Sequence, residues 1–484
     1  MMRGKFIATL ILVSVVSSMA WAQSTKILTF EEAVKIALQN SVLLNQQKNN
    51  LEYSQMQKTS SIAGIGPNIQ ANGQVYQVNG NSFNTQTGQL INGVRDAVTA
   101  SLSANLNVFS GFSRINSIRQ YSNQLDAQAY FVNRTSQDVI NTVSTQYLQV
   151  MLDVELMKIA KENFEALDKQ LQLVKEYVKV GSRSPVDEYN QDALTKAGEL
   201  RYVQAEITLN NDKSTLTQTL LIDPFDQFEV EKPNWNMDSI GAEKLNAQDL
   251  VQSAKQYRGD YLRAVKNENA AKFGMRAAAG QMMPSLVAFY NYGSAYNFQH
   301  GVPDSVKFNN TIIVNDPTAA SGYALQNVTD PNFSANPEKP RPFSDQFRKN
   351  NLYKSYGLQL TIPIFGGLQS KTLHEQQKVL YRNNQLTRKN VEYQLSNDVI
   401  RAVRNYEGAR KAYSVSLDQL RAATAAFQYE QERYNLGVTN FAEYTNANRA
   451  YVQAETDKAQ AEFKFVFQKV LLEYAVGTLK PEDL

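Results

Sequence analysis

The chain has 484 residues, no cysteine and a formal net charge of +3 from 49 basic and 46 acidic residues. The absence of cysteine excludes disulfides, thiol catalysis, Cys-ligated metals and an N-terminal lipid-bearing cysteine. The near balance of charge, without a basic patch, argues against a nucleic-acid partner.

Residues 1–22 read as a signal peptide. Arg3 and Lys5 form a charged start, Ile7 to Val16 an apolar stretch, and Ala20-Trp21-Ala22 a small-x-small site that places cleavage between Ala22 and Gln23. The apolar run is too short for a membrane anchor. No later window reaches the roughly 18 apolar residues of a spanning helix, so any crossing by the mature chain must use strands.

Thr29 caps a helix and Glu32 completes a capping box, with Ala33, Val34, Ala37, Leu38 and Leu44 on one face. That helix is expected to end near Gly64 to Pro67. A matching segment begins at Gln248 and ends at Pro284. Val34 to Val251 and Pro67 to Pro284 share an offset of 217 residues. Farther on, the offset is 256: Phe109 to Phe365, and Gly181 to Gly437. The chain is therefore a tandem duplication, 23–245 and 246–484, and the second copy holds 39 extra residues (256 − 217) before Phe365.

Within each copy the period first becomes two. Residues 67–109 predict a β-hairpin, in which Val98, Ala100, Leu102, Ala104, Leu106 and Val108 alternate with polar residues. Residues 284–365 predict its counterpart, with Tyr356, Leu358, Leu360, Ile362 and Ile364 alternating. Tyr290, Tyr292 and Tyr296 share one face, as suits a membrane interface. Strands of about 9–11 residues match a bilayer crossing, although alternation alone fits a soluble half-buried hairpin as well. The signal peptide and the long helices beyond the strands favour the membrane. The loop about 300–351 holds the insertion and six of the thirteen prolines, and is expected to be irregular, polar and extracellular. A plug or partner-binding role is the alternative for it.

Phe109-x-Gly111 and Phe365-x-Gly367 end the strands. Long helices follow, about 111–180 and 367–436, each proline-free and on the order of 100 Å long at 1.5 Å per residue. The two keep equal length because every inserted residue would rotate a packed face by about 100°. Gly181 then ends the first helix, Ser184 caps the next, Pro185 takes its first position and Asp187 the capping-box position. Gly437, Asn440, Phe441 and Glu443 repeat the construction. The return helices are expected over 185–221 and 441–476, with 223–245 as an irregular connector.

In total this makes four strands per chain, whereas bacterial single-chain barrels have at least about eight. Open strand edges in lipid leave unpaired backbone groups at several kcal/mol each. Several chains must share one barrel, continued by a coiled-coil helical tube.

This doubled layout, together with Leu28-Thr29-Phe30-Glu31-Glu32-Ala33, the Phe-x-Gly turns, Tyr434-Asn435-Leu436-Gly437 followed by Glu443, and Tyr474-Ala475-Val476-Gly477-Thr478-Leu479, resembles the TolC-like outer-membrane efflux proteins over nearly all of 27–484. The resemblance implies an α+β membrane protein. It implies a homotrimer with a twelve-stranded β-barrel in outer-membrane lipid and an α-helical tunnel in the periplasm. It further implies a passive duct for efflux of small molecules or type I secretion of proteins, docked at its helix turns to a periplasmic adaptor and an inner-membrane pump. It also implies an entrance gate. Tyr434 and Asp187 match latch positions, and Glu443 and Asn446 stand where relatives carry an acidic ring. Asn446 cannot hold the charge often found there, and Thr439 stands where some relatives have arginine. Asp187 and Glu443 serve equally well as capping residues. No cofactor, metal site or catalytic constellation is expected: His300 and His374 lie far apart, outside any metal-ligand spacing. The alternative to a duct is a periplasmic coiled-coil scaffold that does not span the membrane.

Overall fold

The computed structural model describes residues 26–84, 89–225, 228–231, 245–300, 310–315, 317–318, 320, 323–328 and 342–480. The signal peptide with Ala22 and Gln23, most of the connector and most of the loop about 300–351 lie outside the described residues. The chain divides into two compact units.

The first unit comprises Met1–Gln55, Asn123–Asn269 and Arg382–Leu484 and is almost wholly helical. It contains β1 (Lys26–Leu28), α1 (Phe30–Asn40) and the start of α2 (Val42–Ala63). Most of α3 (Ser113–Lys179) follows, then α4 (Pro185–Leu220), β4 (Phe228–Val230), α5 (Ala247–Tyr257) and the first half of α6 (Gly259–Gly280). Most of α7 (Gln369–Asn435) and all of α8 (Phe441–Val476) complete it. The helices form because their sequences carry apolar residues three and four apart and no internal proline. One core gathers Val34, Val143, Tyr147, Val150, Leu216 and Val470, and a second gathers Leu395, Val399, Tyr406 and Phe465. Strands β1 and β4 pair in parallel. The buried Tyr147 hydroxyl donates to a carbonyl of each bordering segment, Leu28 O at 2.7 Å and Glu231 O at 3.1 Å, so it ties them to the helices.

Each first helix, expected to be continuous, is broken. The breaks fall at Ser41 and Arg258, which are equivalent at the 217 offset. Both residues leave helical geometry (ψ 114° and 115°) while their backbone N–H groups still bond back to Ala37 and Ala254. Helical periodicity is nearly unchanged across a one-residue break, which is why pattern alone misses it.

The second unit comprises Met56–Ser122 and Ala270–Tyr381. Its centre is an antiparallel sheet in the order β2 (Asn68–Asn84), β3 (Gln89–Ser110), β5 (Ser285–Gln299), β8 (Tyr353–Thr361). The two hairpins keep the duplication in their register. Asn72 pairs with Ser101 in the first hairpin, and their equivalents Phe289 and Gly357 pair in the second. The sheet has two chemically distinct faces. One carries Ala71, Val75, Val98, Ala100, Leu102 and Leu106 with Tyr290, Tyr292, Tyr356 and Leu358; the other carries Gln70, Asn72, Gln74, Thr99, Ser101, Ser103, Asn291 and Gln359. Val75, Tyr356 and Leu358 are 69–80% exposed, so much of the apolar face of this single chain is uncovered. Among the described residues the outer strands β2 and β8 each pair on one side only.

Two expectations for this unit need correction. The fourth strand stops at Thr361, so Ile362, Ile364 and Phe365 lie beyond it and are exposed. Pro363 there has no N–H to continue a ladder. The loop about 300–351 is also not irregular throughout. It contains a hairpin, β6 (Asn310–Asn315) with β7 (Tyr323–Val328), and a helical turn, Phe343–Asp345, that continues as a π-helical turn, Gln346–Asn350.

Candidate functional site at the helix turns

Both helix turns belong to the first unit. They end their long helices in the same way. Gly181 (φ 77°) and Gly437 (φ 75°) take the left-handed conformation that glycine adopts without steric cost. In the first turn Gly181 N bonds Val178 O at 3.0 Å and Ser182 N bonds Tyr177 O at 2.9 Å. In the second, Gly437 N bonds Tyr434 O at 3.0 Å and Val438 N bonds Arg433 O at 2.8 Å. The return helices start on side-chain caps. The Ser184 hydroxyl accepts from Val186 N at 3.3 Å, with Pro185 in the first turn. Asn440 Oδ1 accepts from Glu443 N at 3.0 Å. Neither forms the reciprocal box that was expected. The Ser184 cap reaches Val186 rather than Asp187, and the Glu443 carboxylate accepts instead from the Thr439 hydroxyl at 2.6 Å.

Tyr434 sits at the centre of this end of the unit. Its ring stacks on Tyr444 at 4.7 Å and meets Phe441 at 6.2 Å, and it is buried. The expected hydrogen bond from Tyr434 to Asp187 is not made. The Tyr434 hydroxyl is buried beside the Arg183 side chain, and Asp187 acts on it through its charge. Burial pushes the hydroxyl above its ordinary pKa, Arg183 opposes that shift and Asp187 adds to it. Arg183 is the residue that joins the two turns. Its Nη2 donates to Tyr434 O at 2.6 Å, and its guanidinium lies 4.0 Å from the centre of the Tyr434 ring. The accepting carbonyl is one of the last of α7, where the helix end carries partial negative charge.

Arg183 was missed because it lies in a four-residue turn with no period to mark it. One signal was available: Arg183 plus 256 is Thr439, so the arginine absent from the second turn stands at the equivalent position of the first. Asp187 and Glu443 are equivalent in the same way. Asp187 is half-buried, while Glu443 and Asn446 are exposed. Farther along, Gln170 Nε2 donates to Asn435 Oδ1 at 3.2 Å, a second link between the long helices.

The strand-to-helix turns differ between copies. Gly111 and Gly367 both have φ 60°. A Cβ on Gly111 would fall 2.2 Å from Gly280 O and 2.6 Å from Met283 Cβ, so only glycine fits between them. A Cβ on Gly367 would meet nothing within 4 Å. Phe109 packs edge-on against Phe112 at 5.3 Å.

Among the described residues no group of three His, Asp or Glu side chains could hold a metal ion. The histidines stay apart: His300 Nε2 lies 2.9 Å from Asp96, and His374 Nδ1 3.6 Å from Glu375. Among the described residues no helix is long and apolar enough to cross a membrane.

Sequence comparison now decides the family. The outer membrane efflux protein family model matches residues 33–220 and 332–478. The chain belongs to this family. Family membership implies an outer-membrane location and an efflux channel rather than an enzyme. The fold agrees with three solved structures. CusC, described in terms of folding and transmembrane channel formation, matches at TM-score 0.73 and 14% identity over 94% of this chain and 93% of its own. VceC, an outer membrane protein of Vibrio cholerae, matches at 0.73 and 12% identity over 93% and 96%. The CmeC outer membrane channel of Campylobacter jejuni matches at 0.72 and 14% identity over 94% and 86%. No curated protein sequence matches the chain at a significant level.

Proposed function

We propose that the protein is a passive outer-membrane exit duct built from three copies of this chain, with a twelve-stranded barrel continued by a periplasmic helical tunnel. The observation that carries this reading is the four-stranded sheet with one apolar face, one polar face and two unpaired outer strands. An apolar outside and a polar inside are what a water-filled barrel in lipid requires, and closure removes the edges that lipid cannot satisfy. The duplication supports the count. β3 of the first copy pairs with β5 of the second inside the chain, so β8 is left to pair with β2 of a neighbouring copy in the same way. The open space around Gly367, where Gly111 is packed, leaves room for that neighbour.

The register follows from the offsets. Ser103 pairs with Asn291 within the chain, which sets Gln359 against Gln74 between chains. Because the protein has no cysteine, replacing Gln74 and Gln359 together by cysteine gives a clean test. Oxidation in outer membranes is expected to yield a covalent trimer, and a closed, stable monomer would overturn the reading.

At the helix turns Arg183, Tyr434 and Asp187 form an entrance latch, and Glu443 with Asn446 lies at the constriction, favouring cations. A desolvated cation–π contact contributes roughly 2 kcal/mol and a charged hydrogen bond a similar amount, enough to hold a closed state that a partner can still open. Gly181, Ser184, Pro185, Gly437, Asn440 and Phe441 form the tips that meet a periplasmic adaptor, which couples the duct to an inner-membrane pump. The cargo is small molecules or proteins. In planar bilayers Arg183→Ala is expected to raise single-channel conductance. Tyr434→Phe alone should change it less, since the carbonyl and the ring that hold Arg183 remain. Resting conductance in Arg183→Ala would remove the latch assignment.

A further inference from the structure

The apolar face of the sheet has a defined end. On β3 it runs from Val108 to Val98 and stops at Asp96, which accepts from Gln77 Nε2 at 2.7 Å and lies 2.9 Å from His300 Nε2. Ten residues of a strand tilted by 35–45° span about 25 Å, the height of an apolar barrel band. The Asp96 cluster therefore marks the aqueous border at the end away from the strand-to-helix turns.

Just inside that border the turns Phe343–Asp345 and Gln346–Asn350 lie across the apolar face. Ser294 Oγ donates to Phe347 O at 2.5 Å, Asn297 N donates to Gln346 Oε1 at 3.2 Å, and Asn351 Nδ2 donates to Ala295 O at 2.7 Å. Phe343 packs on Tyr296 at 5.2 Å and stacks on Phe347 at 4.9 Å. Below them lies a groove of about 430 Å³ lined by Ala71, Ala100, Leu102, Tyr292, Phe347 and Arg348. Its walls are mostly apolar, with Asn72, Ser101 and Ser294 among them, and Arg348 is the cation that lines it. Arg348 is exposed and makes no ion pair among the described residues. Lys354 lies on the same face, with Nζ 5.7 Å from the centre of the Tyr292 ring, and likewise makes no ion pair among the described residues. Lys349 is engaged by Asp345 at 3.6 Å.

An uncompensated cation beside an apolar groove is unfavourable in hydrocarbon and favourable beside lipid phosphates. We propose that this groove seats an acyl chain of a phosphorylated, multiply acylated glycolipid of the outer leaflet, with Arg348 and Lys354 on its phosphate. This rests on the exit-duct reading, which puts the strand-to-helix turns at the periplasmic side and the Asp96 border at the cell surface. The apolar walls match the acyl chain, and the long side chains of Arg348 and Lys354, which can snorkel from the apolar band towards its border, match the phosphate.

The test is native mass spectrometry of the full-length protein in detergent, with phosphorylated lipid A and its phosphate-free form as probes. The wild type is expected to retain the phosphorylated form on the order of tenfold better, from about two charge contacts. Arg348→Ala with Lys354→Ala should abolish that preference. Ala100→Trp, which fills the groove, should reduce retention of both probes. A wild type without phosphate preference, or a double variant that keeps it, overturns the proposal. Bilayer conductance of the same preparations separates the two levels. A preparation that conducts without phosphate preference overturns the groove alone, and one that never inserts overturns the exit duct with it.

Discussion

Asp153 lies in the middle of α3 at 3% exposure, a costly place for a carboxylate. Gln149 Nε2 donates to its Oδ1 at 3.0 Å, and Oδ2 is buried away from solvent. Burial pushes its pKa up to about 7, and the Asp212 carboxyl beside it pushes the same way by hydrogen bonding and by charge. The pair therefore holds a proton that an unfolded chain would release. Below the unfolded value near 4 both states are protonated and the site costs nothing. The cost grows as pH rises and is complete above about 7. A shift of some three units corresponds to about 4 kcal/mol at most, at 1.36 kcal/mol per unit. Asp153→Asn removes the charge and keeps a donor for Asp212. In the second copy the equivalents are Ala409 and Gln468, so neutral residues are tolerated at both positions. Thermal unfolding of the detergent-solubilised protein, followed by circular dichroism from pH 4.5 to 8.5, measures the effect. The variant's advantage should be smallest near pH 4.5 and grow to a few °C at pH 8. Parallel curves for the two proteins across that range would refute the argument that the pair holds a proton.

Other substitutions test other parts of the fold. Leu221 is left-handed at φ 52°, where the equivalent residue of the second copy is Gly477 at φ 85°. Leu221→Gly should therefore raise stability by about 1 kcal/mol, read as a higher unfolding midpoint. Gly111→Ala meets both an unfavourable φ and backbone atoms of Gly280, and should destabilise by about 2–5 kcal/mol, read as lost outer-membrane yield and a lower midpoint. Arg258 is 5% exposed, bonded to Asp260 at 3.0 Å and Asp398 at 2.8 Å, with Nη1 3.4 Å from Ala475 O. Arg258→Ala removes a buried cation but leaves Asp260 and Asp398 one-third exposed and Asp398 still paired with Arg401 at 2.6 Å, so it should cost about 1–3 kcal/mol, and Asp398→Asn less.

The sequence by itself determined the duplication, because the 217 and 256 offsets are properties of the chain and need no contact to be seen. The extent of the long helices and the alternation of the strands were legible for a related reason. Both follow from periodicities of neighbouring residues, and the proline-free runs end at glycines that must adopt left-handed φ. Tertiary structure alone decided the features that join distant residues. Arg183 reaches Tyr434 across 251 positions, and no local pattern marks that pair. Gly111 is required not by its own turn alone but by the approach of Gly280, which the otherwise equivalent Gly367 lacks. The turns Phe343–Asp345 and Gln346–Asn350 looked like polar loop until the sheet offered Tyr296 and Ser294 to pack on. Asp153 read as one acidic residue among many on a helix. Its burial beside Asp212 arises only when α3 and α4 pack, because desolvation is set by what surrounds a group in space and not by its neighbours along the chain.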